Sequence, residues 1–230
     1  MSPLDLTTAV LYRDELILVI DKPAGLPVHA GPSGGPNLEL YLRQLRFGLP
    51  HDPALAHRLD RDTSGCLVLG RQPKALKRLG RLFSAGQVEK TYWAVVGGAP
   101  PAETGTVDLA LSKVSEAKKG WRIVADPAGK PAVTDYRLLG RSDGLSWLEL
   151  RPRSGRTHQI RVHCAALGCP VLGDPVYGPA AATRAGLPPL HLHARALGLP
   201  ALRQGKPAVA VVAPPPPHML AALQACGYGA

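Results

Sequence analysis

Short apolar segments separated by glycine and proline run along most of the chain, which predicts a protein dominated by β-strands. The first segment, ELILVID, reads as a buried strand at 15–21 that Pro23 and Gly25 bring to an end. Further strands are predicted at 54–60, 65–71, 90–98, 105–111, 121–126, 132–141, 146–154, 191–200 and 208–217. Turn-forming residues separate them, most clearly Asp143-Gly144.

Apolar residues at helical spacing predict helices at 37–45, 73–86, 155–168 and 218–227. Asn37 is the expected N-cap of the first of these, and Gly168 the expected stop of the third. Strands come in runs rather than alternating regularly with helices, so the pattern predicts an α+β protein with a large, mixed, mostly antiparallel sheet.

The 230-residue length fits a single domain, with two lobes sharing one sheet. Lys and Arg number 27 against 17 Asp and Glu, a formal net charge of +10. That excess favours a polyanionic partner, and because no apolar run approaches membrane length, nucleic acid is preferred over a membrane surface. A basic protein without such a partner remains the alternative. We expect a cytoplasmic protein, because neither a signal segment nor a disulfide-like cysteine pattern is visible. We also expect a monomer.

The sequence offers no cofactor motif. It has no glycine-rich phosphate loop, and its four cysteines form no C-x-x-C pair. His158 and His163 are five residues apart, not at the i, i+4 spacing of helical metal ligands. We therefore expect neither an organic cofactor nor a metal, and interpret Cys66 and Cys164 as core residues.

Asp60 is the first candidate for chemistry, at the end of a predicted strand within HRLDRDTSG. Arg58 would share its strand face, so a structural salt bridge is the alternative interpretation. Arg156 lies at the predicted start of the third helix, where backbone N–H groups favour anions. Tyr92 follows Lys90 on a strand, an order that suits base stacking beside a phosphate contact, although a half-buried core tyrosine is equally usual.

Together these segments resemble the RluA-like family of RNA pseudouridine synthases. HRLDxxTSG matches in full across His57 to Gly65, and the other matching blocks follow in the family's order: VIDKPAGLPVH, EKTYWAVV, GKPAVTDYRLL, GRTHQIRVH, GCPVLGDPVYG and HLHA. The resemblance implies a mixed sheet with a central catalytic cleft, and an isomerase that converts uridine in structured rRNA or tRNA to pseudouridine without a cofactor.

The resemblance also implies roles for individual residues. Asp60 takes the position of the catalytic aspartate, a nucleophile or base acting on a flipped-out uridine. Arg156 matches the arginine that pairs with that aspartate, and Tyr92 the tyrosine that stacks near the base. Arg58 matches a residue that replaces the flipped nucleotide, and Leu192 in HLHA a residue that packs under the base. Arg61 and Asp62 are expected to be ordinary loop charges.

Two alternatives to this function stay open. One is a non-catalytic RNA-binding protein on the same scaffold, and the other is a metal-dependent hydrolase. The chain begins almost at the first matching block, so we expect no accessory N-terminal RNA-binding domain and RNA contacts made by the catalytic domain itself.

Overall fold

The computed structural model of the chain describes residues 4–31, 34–116, 120–179 and 186–229. The strands described there are β1 (Val10–Arg13), β2 (Ile17–Lys22), β3 (Ala54–Leu55), β4 (Ser64–Gly70), β5 (Glu89–Gly97), β6 (Thr104–Asp108), β7 (Leu111–Glu116), β8 (Gly120–Ala125), β9 (Val133–Ser142), β10 (Leu145–Pro152), β11 (Leu192–Leu199) and β12 (Val209–Val212). The α-helices are α1 (Pro73–Ser84), α2 (Gln159–Ala166) and α3 (Pro217–Ala225), and short 3-10 helices cover Thr7–Ala9 and Leu38–Leu45.

The chain divides into two compact units. The first contains the residues up to Lys90 together with Ala194–Pro215, and the second contains Thr91–His193 together with the residues from Pro216 onward. Two strands carry the chain from one unit to the other: β5 passes from the first to the second, and β11 returns.

The first unit is built on antiparallel pairing of β2 with β4, in a register that runs from Ile17 opposite Gly70 to Lys22 opposite Gly65. β1 pairs with β2, β3 with β4, and β12 with β11, all antiparallel. Every residue of β4 is buried. One side of this sheet packs on Leu79 and Leu82 of α1, whose burial contributes about 2 kcal/mol for each leucine.

The second unit contains antiparallel strands in the order β5, β10, β9, β6. One face of this sheet packs on α2 through Ile160 and Cys164, and the other on α3 through Met219 and Leu223. β7 and β8 form a separate two-stranded antiparallel ribbon. The predicted α+β class with a mostly antiparallel sheet is confirmed.

The predicted strand at 54–60 is wrong beyond Leu55. Ala56 still donates its backbone N–H to Val68 O at 3.1 Å, but Val68 N–H donates to the imidazole Nε2 of His57 at 3.0 Å. The side chain of His57 thus takes the place of a ladder partner, and the chain leaves the sheet. Arg58 and Asp60 therefore lie in a loop, not on one face of a strand.

The other elements were predicted with mixed success. The segment after Asn37 is a 3-10 helix, and its capping is confirmed, because the Asn37 side chain accepts from Glu39 N–H at 3.1 Å. The helix predicted from 155 begins only at Gln159. Strands β1 and β7 were not predicted, since VLYR is very short and LSKVSE lacks the alternation of a half-buried strand.

All four cysteines are free and buried, which confirms Cys66 and Cys164 as core residues. Burial raises the pKa of the Cys66 thiol to about 12, so it is a neutral packing group at physiological pH. Among the described residues, no helix combines the length and the apolar character that crossing a membrane requires.

Gly65, the second residue of β4, admits no larger residue. Its φ is +106°, and a Cβ atom at this position would lie 2.3 Å from the carbonyl oxygen of Ala194. We expect Gly65→Ala to lower the free energy of unfolding by about 2 kcal/mol or more, because it combines a left-handed backbone with a clash against a sheet carbonyl.

Gly80, in the middle of α1, is the matched control. A Cβ atom added there would have nothing within 4 Å, so Gly80→Ala is expected to stabilise the chain by up to about 1 kcal/mol. Urea titration of both variants measures the two effects. Equal midpoints for Gly65→Ala and the unmutated protein would contradict the close approach of β4 to Ala194.

Candidate active site

Asp60 lies half-buried in the loop between β3 and β4, and Arg58 two residues before it is exposed. The loop is fixed through its backbone. Thr63 N–H donates to Asp60 O at 3.2 Å, which closes the turn, and Gly25 N–H donates to Arg61 O at 2.9 Å. Leu59 is 4% exposed and anchors the loop in the core between these two functional candidates.

A fully buried lysine is hydrogen-bonded to the backbone of this loop. Lys22, at the end of β2, donates from Nζ to Pro23 O at 2.8 Å, to Leu26 O at 2.9 Å and to Arg61 O at 3.0 Å. An ammonium group has three N–H donors, and three carbonyls accept from it. The lysine therefore joins the segment after β2 to the residue that follows Asp60.

The electrostatics of Lys22 reflect its position. Burial lowers the pKa of the Lys22 ammonium to about 8, against the opposing effect of the Asp62, Asp60 and Asp21 carboxylates. The group is still protonated at neutral pH, so a positive charge is held in the protein interior beside the Asp60 loop.

The neighbours of Asp60 in sequence have structural roles. Arg61 and Asp62 pair with each other at 3.0 and 3.2 Å on the surface, as expected of ordinary loop charges.

His57 stacks on Phe83 with ring centroids 4.4 Å apart. Burial, aided by the charge of Lys90, lowers the pKa of His57 to about 3, so its imidazole is neutral and can accept from Val68 N–H.

The second unit holds the other candidates. Tyr92 on β5 is half-buried and packs against the cluster that contains Leu192 and Ile160, with Leu150 opposite it on β10. The structure thus brings Tyr92 and Leu192 to one apolar cluster. Leu192 itself is 3% exposed.

Arg156 is exposed and precedes α2 rather than starting it, which corrects the predicted helix start. The reason is the side chain of Gln159. Its Oε1 accepts from Arg156 N–H at 3.0 Å and from the Ser154 hydroxyl at 2.7 Å, and its Nε2 donates to Val133 O at 2.9 Å. These bonds tie the Arg156 loop to β9, and the guanidinium Nε of Arg156 donates to Pro131 O at 3.2 Å.

A buried ion pair joins α2 to the segment before Tyr177. Arg161 donates two hydrogen bonds to Asp174, each of 2.7 Å, and Asp174 also accepts from the backbone N–H groups of Val176 and Tyr177. Burial alone would raise the pKa of Asp174, but the bonds from Arg161 outweigh it and the pKa lies below its usual value. The carboxylate therefore stays ionised and fixes the turn that carries Tyr177.

Tyr177 connects three segments. Its hydroxyl accepts from Ile123 N–H of β8 at 3.0 Å and lies 2.8 Å from Nδ1 of His158. His158 has a φ of +54°, an uncommon left-handed conformation for this residue, immediately before α2. The bond from Tyr177 helps hold it there. Within the described ranges, no group of three or more His, Cys, Asp or Glu side chains is arranged to hold a metal ion.

Comparison with known proteins shows which family the chain belongs to. The family model described as RNA pseudouridylate synthase matches residues 16–166, a span that includes Asp60, Tyr92 and Arg156. The chain belongs to the RNA pseudouridine synthase family. The enzymes of this family are isomerases that act on RNA, and the predicted family is confirmed.

Individual relatives support the assignment. An uncharacterized RNA pseudouridine synthase of Zymomonas mobilis is 52% identical over 160 residues, 70% of this chain and 73% of the relative. The ribosomal large subunit pseudouridine synthase D of the same organism is 37% identical over 186 residues, 77% of this chain and 58% of that protein. The solved structure of human RNA Pseudouridylate Synthase Domain Containing 4 matches with a TM-score of 0.78 and 31% identity, covering 96% of this chain and 93% of the human one.

Sequence reasoning did not identify Lys22, Gln159 or Tyr177. A lysine between an apolar strand and Pro-Ala-Gly gives a weak signal of burial, since a solvated lysine would suit the same turn. Gln159 and Tyr177 act through contacts with residues far away in sequence, which spacing along the chain does not reveal.

The buried Lys22 ammonium predicts a particular pH dependence. Its pKa is lower in the folded chain than the ordinary 10.5, so between about pH 8 and 10.5 the unfolded chain binds more protons. Relative to Lys22→Met, the free energy of unfolding of the unmutated protein should rise with pH across that window, with a limiting slope of about 1.4 kcal/mol per pH unit. Urea titrations of both proteins from pH 7 to 10.5 measure the difference, and parallel curves would contradict a buried, charged Lys22.

Gln159 predicts a second effect, on stability. Gln159→Leu leaves the buried Thr134 hydroxyl and Val133 carbonyl without their amide donor, which we expect to lower the free energy of unfolding by about 1–3 kcal/mol. Gln87 is exposed, so Gln87→Leu is the control and should change stability by less than about 0.5 kcal/mol. Indistinguishable urea midpoints for the two variants would show that Gln159 does not hold the Arg156 loop.

Proposed function

We propose that this chain converts specific uridines of structured rRNA or tRNA to pseudouridine, with Asp60 as the nucleophile or base. The observation that carries the proposal is the family match across residues 16–166 together with the way this structure holds Asp60. The loop that contains Asp60 is hydrogen-bonded to the fully buried ammonium group of Lys22, so a rigid segment holds the aspartate.

The reaction places simple demands on the site. The bond between C1′ of the ribose and N1 of uracil breaks, the base rotates, and a bond forms between C1′ and C5. N1 finishes with a proton and the hydrogen on C5 is lost, so the reaction needs no oxidant or second substrate. A carboxylate beside C1′ or C6 serves as nucleophile, or as base toward the proton that is lost.

The remaining candidates supply binding. In this proposal Arg58 occupies the place that the flipped uridine leaves in the RNA, and the exposure of its side chain supports that role. Tyr92 stacks near the target base and Leu192 packs under it, a division of work that their shared apolar cluster supports. Arg156 favours the ionised carboxylate of Asp60, a role that rests on the sequence resemblance.

The net charge of +10 supports RNA as the partner, because phosphate contacts draw their free energy from counterion release. We further propose that the protein is cytoplasmic, which its four free, buried thiols support, and that it acts as a monomer. Light scattering and cell fractionation test those two points.

Release of tritium from RNA labelled at C5 of uridine tests the reaction directly. The unmutated protein is expected to release it from total tRNA or rRNA, and Asp60→Asn to reduce the single-turnover rate by about 10³-fold or more while keeping RNA affinity, because it removes the reacting carboxylate but keeps its shape. Asp62→Asn is the control, since Asp62 pairs with Arg61 on the surface of the same loop and should leave the rate within about threefold.

Deleting the gene and mapping pseudouridines in total tRNA and rRNA identifies the target. Loss of one or more sites is expected. If no site disappears and the purified protein releases no tritium, the isomerase proposal fails. An equal RNA affinity of Asp60→Asn and the unmutated protein would then favour a non-catalytic RNA-binding protein.

A further inference from the structure

The ribbon formed by β7 and β8 carries a large exposed aromatic side chain. Its register pairs Leu111 with Ala125 and Ser115 with Trp121. Leu111 and Ile123 are buried in a cluster with Ala132 and Val162. Side chains two residues apart on a strand share a face, so Trp121 continues the face on which Ile123 is buried, yet 47% of its surface is exposed.

Trp121 is nevertheless well ordered by its neighbours. Its ring lies on the imidazole of His158, with centroids 5.2 Å apart and planes 25° apart. His158 in turn contacts the Tyr177 hydroxyl, which accepts from Ile123 N–H of the ribbon itself. The stack and these two hydrogen bonds form a closed path from the ribbon to the start of α2 and back. The indole is therefore held in a fixed orientation rather than left mobile on the surface.

A positive charge lies over this indole. The Lys113 ammonium lies over the ring, 4.8 Å from its centroid, and Arg122 and Lys130 are exposed on the ribbon and on the turn that follows it. The exposed Arg153 of the same unit pairs with an acid, Asp135, at 2.7 Å. Lys113 contacts an aromatic ring instead.

Within the second unit, the indole lies close to one of the candidate residues. His158, on which Trp121 stacks, is two residues from Arg156. A fixed, half-exposed aromatic ring beside cations is the arrangement that binds unpaired nucleotides, in which the base stacks on the ring and the phosphate meets the cation. The exposed part of the indole is buried against nothing, so packing of the ribbon does not account for that exposed surface.

We propose that Trp121 and Lys113 bind an unpaired nucleotide of the RNA other than the target uridine, and that this contact contributes to the choice of RNA. The inference rests on the proposed function for the identity of the partner. On binding, the base takes the position of the long Lys113 side chain over the indole, and the ammonium moves to the adjoining phosphate. A half-exposed ring with a flexible covering side chain permits that exchange at little energetic cost.

The test uses the full chain and equilibrium binding to a ten-residue oligouridylate and to total tRNA. Loss of one base stack should weaken binding about tenfold for Trp121→Ala, whereas Trp121→Phe, which keeps an aromatic face, should stay within about threefold. Phe47→Ala is the control. Phe47 is also an exposed aromatic under a cation, Arg13 at 4.3 Å, but it lies in the first unit, and its removal should leave affinity within about twofold.

Fluorescence gives an independent measurement. The other two tryptophans, Trp93 and Trp147, pack edge-to-face with each other. Stacking of a base on Trp121 should therefore appear as quenching of tryptophan fluorescence, and Trp121→Phe should abolish that quenching. Circular dichroism and a thermal melt of Trp121→Ala establish that the variant is folded.

The outcomes separate this inference from the proposed function, because binding requires no isomerisation. If Trp121→Ala weakens binding but the unmutated protein forms no pseudouridine, the proposed function fails and the nucleotide site stands. If pseudouridine forms while folded Trp121→Ala binds both RNAs as tightly as the unmutated protein, the nucleotide site is overturned and the proposed function stands.

Discussion

Burial of one ammonium group constrains the part of the molecule on which the proposed chemistry depends. Lys22 donates to three backbone carbonyls, one of which belongs to the residue after Asp60. Removing a charge from water is costly unless all its hydrogen bonds are made, and here each of the three N–H donors has an acceptor. The same free-energy balance makes the loop rigid, because any displacement of Arg61 O leaves a buried N–H group unsatisfied.

The second unit also contains a buried cation. Arg161 is buried like Lys22, but it is compensated by a carboxylate, Asp174, in a two-bond arrangement that suits a planar guanidinium. Because Asp174 also accepts from two backbone N–H groups, the pair fixes the turn before Tyr177 as well as α2. Tyr177 then holds both His158 and β8. The exposed residues Trp121 and Arg156 are thus positioned by buried polar groups, not by apolar packing alone.

The sequence predicted the strands whose residues alternate or are continuously apolar, since burial of one face or both dominates their energetics. It failed where a side chain replaced a backbone partner. His57 accepts the N–H of Val68 and ends β3, and Gln159 binds Arg156 N–H and delays the start of α2. Both events depend on hydrogen bonds between a side chain and the backbone, so the periodicity of apolar residues carries no trace of them. The motif around Asp60 was recognisable because chemistry restricts residue types locally, whereas Lys22 acts on that motif from 39 residues away.

The Arg161–Asp174 ion pair and the buried Lys22 also respond differently to pH, because Arg161 binds a carboxylate whereas Lys22 binds neutral carbonyls. Asp174 has a pKa below its ordinary value in the folded chain, so the pair contributes stability above the unfolded pKa of an aspartate and loses it as pH falls through the folded value. Lys22 donates to neutral carbonyls, and its pKa is depressed by burial, so its charged form opposes folding at neutral pH. The carbonyl arrangement directs the N–H donors of Lys22 to the loop backbone instead of to the Asp60 carboxylate. Direct hydrogen bonds from a buried ammonium would stabilise that carboxylate against reaction. Three carbonyl acceptors instead fix the loop, while the charge of the lysine acts on Asp60 only through space.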